Sequence, residues 1–434
     1  MLKLPGGFGS SGKKYIVGFD LTDTSCGISY CSDQGDIRTV SLVAGEEEYV
    51  IPMALSKRHG AGQWFFGREA YASSDAGESI LVANLFSKAL WGEDTHIDGL
   101  VYGAGSLFTL YLKRAFGLLQ SVGSFDRMEA VMFTLPEVTV QAMELIKESL
   151  RSLHIKTDKI YFMSHSESFY HYVAEQGDDR LHAGPVLFTV DDRKLCMTKL
   201  RVGRHTVPQV VHAETSYYEL PQDRGTLPDD LDSTLLKAAQ GSTSFGQEYS
   251  YYLVGEEFTE DSLSNSLKYM CGKGKVYGGT NLFSKGAVIA LLEKNEVMGN
   301  TSGNKKKIAE KQPAFIFLGD DKLTSNIGMN LLSQGSDAYY ALLDAGTCWF
   351  EAEGSVEFYI SGGSEVTLSV SSITGGGNSD VIISLDGYDG ELTRMKLSAT
   401  MSDIRTLNVV IEDMGLGAFT RTKANKWEEE IELP

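Results

Sequence analysis

A chain of 434 residues is too long for one compact core and fits two or three domains. With 42% hydrophobic and 22% charged residues it can bury a large core, which excludes wholesale disorder. Its net charge of −19 argues against nonspecific binding to nucleic acid or anionic lipid, both of which need basic surface.

No apolar run reaches the length of a membrane span, so membrane insertion is not expected. The segment MLKLPGGFGSSGKK lacks the apolar core of a signal peptide. The five cysteines, Cys26, Cys31, Cys196, Cys271 and Cys348, contain no CxxC pair, which speaks against a zinc knuckle. Cys26, Cys196 and Cys271 sit among apolar neighbours and read as buried thiols of a reducing, cytoplasmic compartment.

Residues 1–14, rich in Gly and Ser, read as a flexible N-terminus. An apolar run over 15–19 then reaches Asp20, and a polar turn through Thr22, Thr24 and Ser25 leads into a second strand over 26–31. Such a turn can hold phosphate with its backbone N–H groups and hydroxyls, while the Asp holds a metal through water. An ordinary polar hairpin is the competing reading. A third strand is expected over 37–43 and an extended segment at 50–52.

Helical spacing over 106–119 and 138–153 brackets a buried strand over 130–134. A strand over 159–163 follows, then a helix over 166–175 with Ser166 as its cap. Strand–helix–strand–helix at this spacing implies parallel crossover units. The pattern then restarts with strands over 186–190, 195–202 and 207–214. After these come helices around 230–239, 262–270 and 284–292, and a strand over 251–254 that ends at Gly255. Residues 296–312 are polar and lysine-rich and read as a linker. Beyond it the period becomes two, and strands near 355–360, 365–370, 381–385, 393–397 and 407–411 predict a β-sandwich over 313–434. Gly375-Gly376-Gly377-Asn378 lies between two of these strands and reads as a hairpin turn.

Several stretches, in order, carry a resemblance. They are Val17-Gly18-Phe19-Asp20-Leu21, Ser32-Asp33-Gln34-Gly35, Ile51-Pro52, Phe66-Gly67-Arg68-Glu69-Ala70, Ala130 to Pro136, Leu253-Val254-Gly255, and Gly278 to Ala287. Together the pattern resembles the actin, sugar kinase and heat-shock chaperone ATPase superfamily over about residues 15–295, and is nearest its chaperone branch. The resemblance implies a two-lobed, actin-like (ribonuclease H-like) α/β fold, with lobe one over 15–185 and lobe two over 186–295. It implies ATP or ADP with Mg2+ as cofactor and nucleotide contacts from Asp20, Thr22, Thr24, Ser25 and Gly255. Asp20 would hold the metal through water, and Glu167 or Asp191 would position the attacking water.

The departures from the family pattern bear on function. The family's Gly-Thr-Thr is Thr22-Asp23-Thr24 here, which places a carboxylate near the phosphates. The second phosphate motif, Gly-rich in the family, is Asp191-Asp192-Arg193-Lys194. At an effective dielectric near 20, one phosphate–carboxylate pair at about 5 Å repels by roughly 3 kcal/mol. That is about two decades of affinity. Glu167 also reads as a first-turn helix acid favoured by the helix dipole. The histidines flanking it, His165 and His171, have the wrong spacing for a helical zinc site.

These features predict a non-catalytic or weakly nucleotide-binding scaffold that engages an unknown protein or peptide through the β-sandwich. The alternative is a working ATP-dependent, chaperone-like switch with slow hydrolysis.

Overall fold

The computed structural model describes residues 14–32, 35–43, 45–155, 159–191, 193–203, 208–220, 227–243, 249–300, 315–333, 336–375, 377–416 and 425–433. The reading of 1–14 as flexible therefore falls almost wholly outside the described residues, as do Asp192, Gly376 and residues 301–312 of the linker. The chain divides into two compact units. One holds Met1–Arg201 and Ala213–Lys311, the other Val202–His212 and Gln312–Pro434.

The first unit is mixed α/β. It opens with β1 (Tyr15–Leu21), β2 (Ser25–Ser32), β3 (Arg38–Thr39) and β4 (Ile51–Pro52). A peripheral region follows: β5 (Ala54–Arg58), β6 (Trp64–Phe66), α1 (Arg68–Asp75), β7 (Ser79–Ala83), α2 (Leu85–Trp91), β8 (Thr95–Ile97) and β9 (Leu100–Tyr102). Then come α3 (Ala104–Gly117), β10 (Met128–Leu135), α4 (Val140–Ser152), β11 (Ile160–Ser164), α5 (His165–Ala174) and α6 (Asp178–His182). The second half holds β12 (Pro185–Asp191), β13 (Lys194–Gly203), β14 (Gln209–Glu219), α7 (Leu227–Ser242) and β15 (Tyr249–Val254). It ends with α8 (Ser264–Cys271), β16 (Gly274–Gly279) and α9 (Leu282–Asn300).

Two sheets repeat one plan. The first runs β11-β10-β1-β2-β3, and the second contains β16-β15-β12-β13-β14. In each, the central strand pairs in parallel with the next strand of its own half and antiparallel with its hairpin partner. Parallel strands need both faces covered. On one face of the first sheet, Phe19 stacks on Phe116 of α3 at 5.2 Å and meets the tilted ring of Phe133 at 5.1 Å. On the other, Ile16, Met132 and Met163 meet Ala287, Val288 and Leu291 of α9.

Two glycines let α9 come this close. A Cβ on Gly18 would lie 2.1 Å from the Ser284 carbonyl oxygen, and one on Gly286 would lie 2.1 Å from that of Ser168 in α5. Buried hydroxyls bind the same junction. Ser29 Oγ and Ser284 Oγ are 2.8 Å apart, and Ser168 Oγ donates to the Phe283 carbonyl at 2.6 Å.

Several expectations are corrected. The strand over 37–43 shrinks to Arg38–Thr39, because Ser41 Oγ donates to the Val43 carbonyl and accepts from the Val43 N–H, closing a local turn. The cap of α5 is Ser164, whose Oγ accepts from Glu167 N at 3.4 Å, rather than Ser166. Cys271 ends α8 on the surface and Cys196 is half-buried, so only Cys26 of the three expected thiols is fully buried. Helix α9 continues to Asn300 and takes in the first residues of the polar segment.

The second unit is strand-rich. It contains β17 (Phe315–Leu318), β18 (Ser325–Ser333), β19 (Ser336–Leu343), β20 (Glu353–Ile360) and β21 (Glu365–Ser372). It continues with β22 (Asn378–Ser384), β23 (Thr393–Met401), β24 (Thr406–Asp413) and β25 (Lys426–Glu432). Within this unit Gln209–His212 pair in parallel with β17. Two antiparallel sheets, β19-β18-β21-β22 and β20-β23-β24-β25, share one core built from residues such as Ile327, Leu368, Leu397 and Val409. Strict in–out alternation along β24 shows why the period of two was legible there. Among the described residues, no helix of the chain is long and apolar enough to cross a membrane.

The close approach of α9 predicts that Gly18→Ala destabilises the protein by about 1–3 kcal/mol or more through overpacking against backbone. Gly27→Ala is the control. Its added Cβ meets nothing closer than 3.8 Å, so urea unfolding should show a much smaller loss.

Candidate functional site

Asp20 lies one residue before the end of β1, opposite Gly27 of β2 and Thr134 of β10. Leu135 of β10 in turn faces Ser164, the last residue of β11, and α5 begins at once with His165. Three parallel strands therefore end together, the place where open α/β sheets bind ligands.

There His165 Nε2 lies 2.8 Å from Asp20 Oδ1, and both side chains are largely buried, at 16% and 13% exposure. An ionised carboxylate only accepts, so with Asp20 ionised the imidazole donates from Nε2. The imidazole stacks face to face on Phe283 of α9, with ring centres 3.9 Å apart and planes 9° apart. The Asp20 carboxylate is thus engaged by a clamped ring.

The turn after Asp20 spends its donors on itself. Thr22 N donates to the Ser25 carbonyl at 2.9 Å, and Ser25 N donates to Thr22 Oγ1 at 3.0 Å. Thr24 N approaches the same oxygen at 3.3 Å. The hydroxyls of Thr22, Thr24 and Ser25 also lie within 3.3 Å of one another in pairs through Thr22. An anion in this turn would have to displace those bonds. Asp23 faces elsewhere as well, its Oδ1 accepting the Ser87 N–H in the first turn of α2 at 2.9 Å. There it serves as an N-terminal cap supplied from a distance.

The other expected residues are not joined to this group. Asp191 pairs with Lys194 across a two-residue turn, with Arg193 at φ 61°, and its side chain is exposed. Such a tight hairpin leaves no glycine-rich loop to wrap a phosphate. Gly255, at φ 140°, donates its N–H to the Gly279 carbonyl at 3.3 Å. Beside it, Arg68 pairs with Glu256 and Glu48, each at 3.0 Å. Among the described residues, no hydrogen bond or ion pair links Asp191 or Gly255 to Asp20.

Glu167 sits beside His171 instead, with Oε1 3.8 Å from Nε2, while Glu293 of α9 approaches the other ring nitrogen to 2.9 Å. Burial alone would lower the His171 pKa. The two flanking carboxylates outweigh burial and lift it from 6.5 to about 9.

The partner of Asp20 is what reading the sequence misses. Along the chain His165 stands beside Glu167 and near His171, and those neighbours point away from Asp20. The usable signal is its place directly after a strand parallel to β1.

The chain belongs to the family of unknown function DUF5716, C-terminal, whose model matches residues 36–304. Residues 322–433 match the domain of unknown function DUF8552. No curated protein matches the chain.

The His171 geometry makes a prediction with a definite sign. A histidine whose folded pKa is raised from 6.5 to about 9 adds stability that is complete below pH 6.5. That stability is lost as the pH climbs through about 9. Unfolding midpoints measured across this window should fall with rising pH, and His171→Gln should flatten the fall.

Proposed function

We propose that the first unit is an actin-like, chaperone-ATPase-type frame that has lost productive nucleotide chemistry. In this reading the protein works as an interaction or scaffold module and presents its strand-rich second unit to a protein or peptide. The observation that carries the proposal is the Asp20–His165 contact at 2.8 Å. In the family this resembles, a carboxylate at this position faces metal-bound water, and here an imidazole stacked on Phe283 occupies it.

Two further observations support the reading. The repeated strand order of the two sheets, each with two parallel strands beside a hairpin, is the plan such a two-lobed frame requires. Both turns that would hold phosphate are closed, one by its own hydrogen bonds and the other by its two-residue length.

A thermal-shift titration with Mg-ATP and Mg-ADP tests the proposal. Binding would stabilise the native state by about 2.7 kcal/mol at a hundredfold excess over Kd. The expected result is no shift at millimolar nucleotide. A dose-dependent shift that disappears in Asp20→Ala would overturn the proposal and make ATP turnover the next assay of the alternative, an ATP-dependent switch.

A further inference from the structure

Lys322 and Cys348 are buried together in the second unit, at 7% and 4% exposure. They face each other across an isolated antiparallel bridge, and flanking backbone bonds hold the two segments in register. Leu323 N donates to Thr347 O at 2.9 Å and Trp349 N to Asp321 O at 3.1 Å. The Lys322 Nζ to Cys348 Sγ distance is 2.8 Å.

That separation is the length of an N–H···O bond, although sulfur is considerably larger than oxygen. It is far too long for a nitrogen–sulfur bond and close to the span of one oxygen atom bonded to both. Cys348 is also the only cysteine in the sequence of this unit, so a disulfide within the unit is ruled out. Burial keeps bulky thiols away from its sulfur, and the nearest trap for an oxidised sulfur is the lysine amine.

We propose that Lys322 and Cys348 are a covalent modification site at which a peroxide oxidant installs a nitrogen–oxygen–sulfur bridge. The first peroxide oxidises the thiol to a sulfenic acid and leaves as water. The second takes two electrons from the amine nitrogen as the N–O bond forms. The nitrogen gives up one hydrogen and the sulfenic hydroxyl the other, and two further waters leave. In sum, one amine, one thiol and two peroxides yield one bridge and three waters. The cross-link joins residues 26 apart in sequence and encloses the β18–β19 hairpin.

Mass spectrometry of the full chain tests this directly. The protein is treated with hydrogen peroxide, denatured, alkylated and digested with trypsin. The expected product is one tryptic peptide, residues 312–394, left uncut at Lys322 and carrying both bridged residues, its mass greater by one oxygen and smaller by two hydrogens than that of the same uncut segment. Cleavage after Lys322 should be lost and should return after treatment with a thiol reductant. Lys322→Arg and Cys348→Ser should each abolish the product. Complete alkylation of Cys348 after peroxide, a sulfinic acid with Lys322 unmodified, or a cross-link without the oxygen would overturn the proposal. The wild-type digest distinguishes these outcomes even if a variant fails to fold.

Discussion

Helix α9 rests its backbone directly on β1, and the arrangement at the ends of the first unit's parallel strands depends on that contact. No side chain can stand at Gly18 or Gly286 without meeting a carbonyl oxygen at 2.1 Å. The seat fixes α9 against β1 and α5 at once, so Ser284 lies over the middle of β1 and β2 while Phe283 reaches His165 at the ends of the parallel strands. Phe283 then backs the His165 ring, and the ring meets Asp20. A packing constraint made of two missing side chains thereby sets the position of a buried acid–imidazole pair.

That pair changes what the strand ends can do. A carboxylate that orders metal-bound water needs its oxygens facing solvent and cation, and here one oxygen is committed to an imidazole at 2.8 Å. The turn after it has replaced backbone freedom with internal bonding, Thr22 Oγ1 alone gathering the N–H groups of Thr24 and Ser25. The carboxylate of Asp23, which in the sequence stands where it would repel phosphate, caps α2 instead. On the proposed reading, nucleotide chemistry is lost through closure of the turn more than through charge repulsion.

The central strands were legible because their apolar runs are continuous and bounded, as at β1, β10 and β12. The second unit was legible because β24 alternates strictly between buried and half-buried positions and β21 alternates from Glu365 to Val370. The short elements from β5 to β9 were not, since strands of three to five residues offer too little periodicity to separate from loop. Strand β16, Gly-Lys-Val-Tyr-Gly-Gly, was hidden by its glycines, one of which abuts the backbone of Tyr249. At the site, Asp20 stood out in sequence, but its partner did not. His165 is 145 residues away and reaches Asp20 only because the order β11-β10-β1 aligns their strand ends. Glu167 illustrates the reverse, a plausible catalytic acid by position whose carboxylate lies against His171.

The central claim is that His165, and not a hydrated metal, owns the Asp20 carboxylate. The most direct measurement follows the imidazole resonances of His165 by NMR while magnesium and ATP are added. They should stay where they are in the unliganded protein, with Nε2 protonated and bonded to Asp20. A saturable shift showing that the ring has released the carboxylate would contradict the claim.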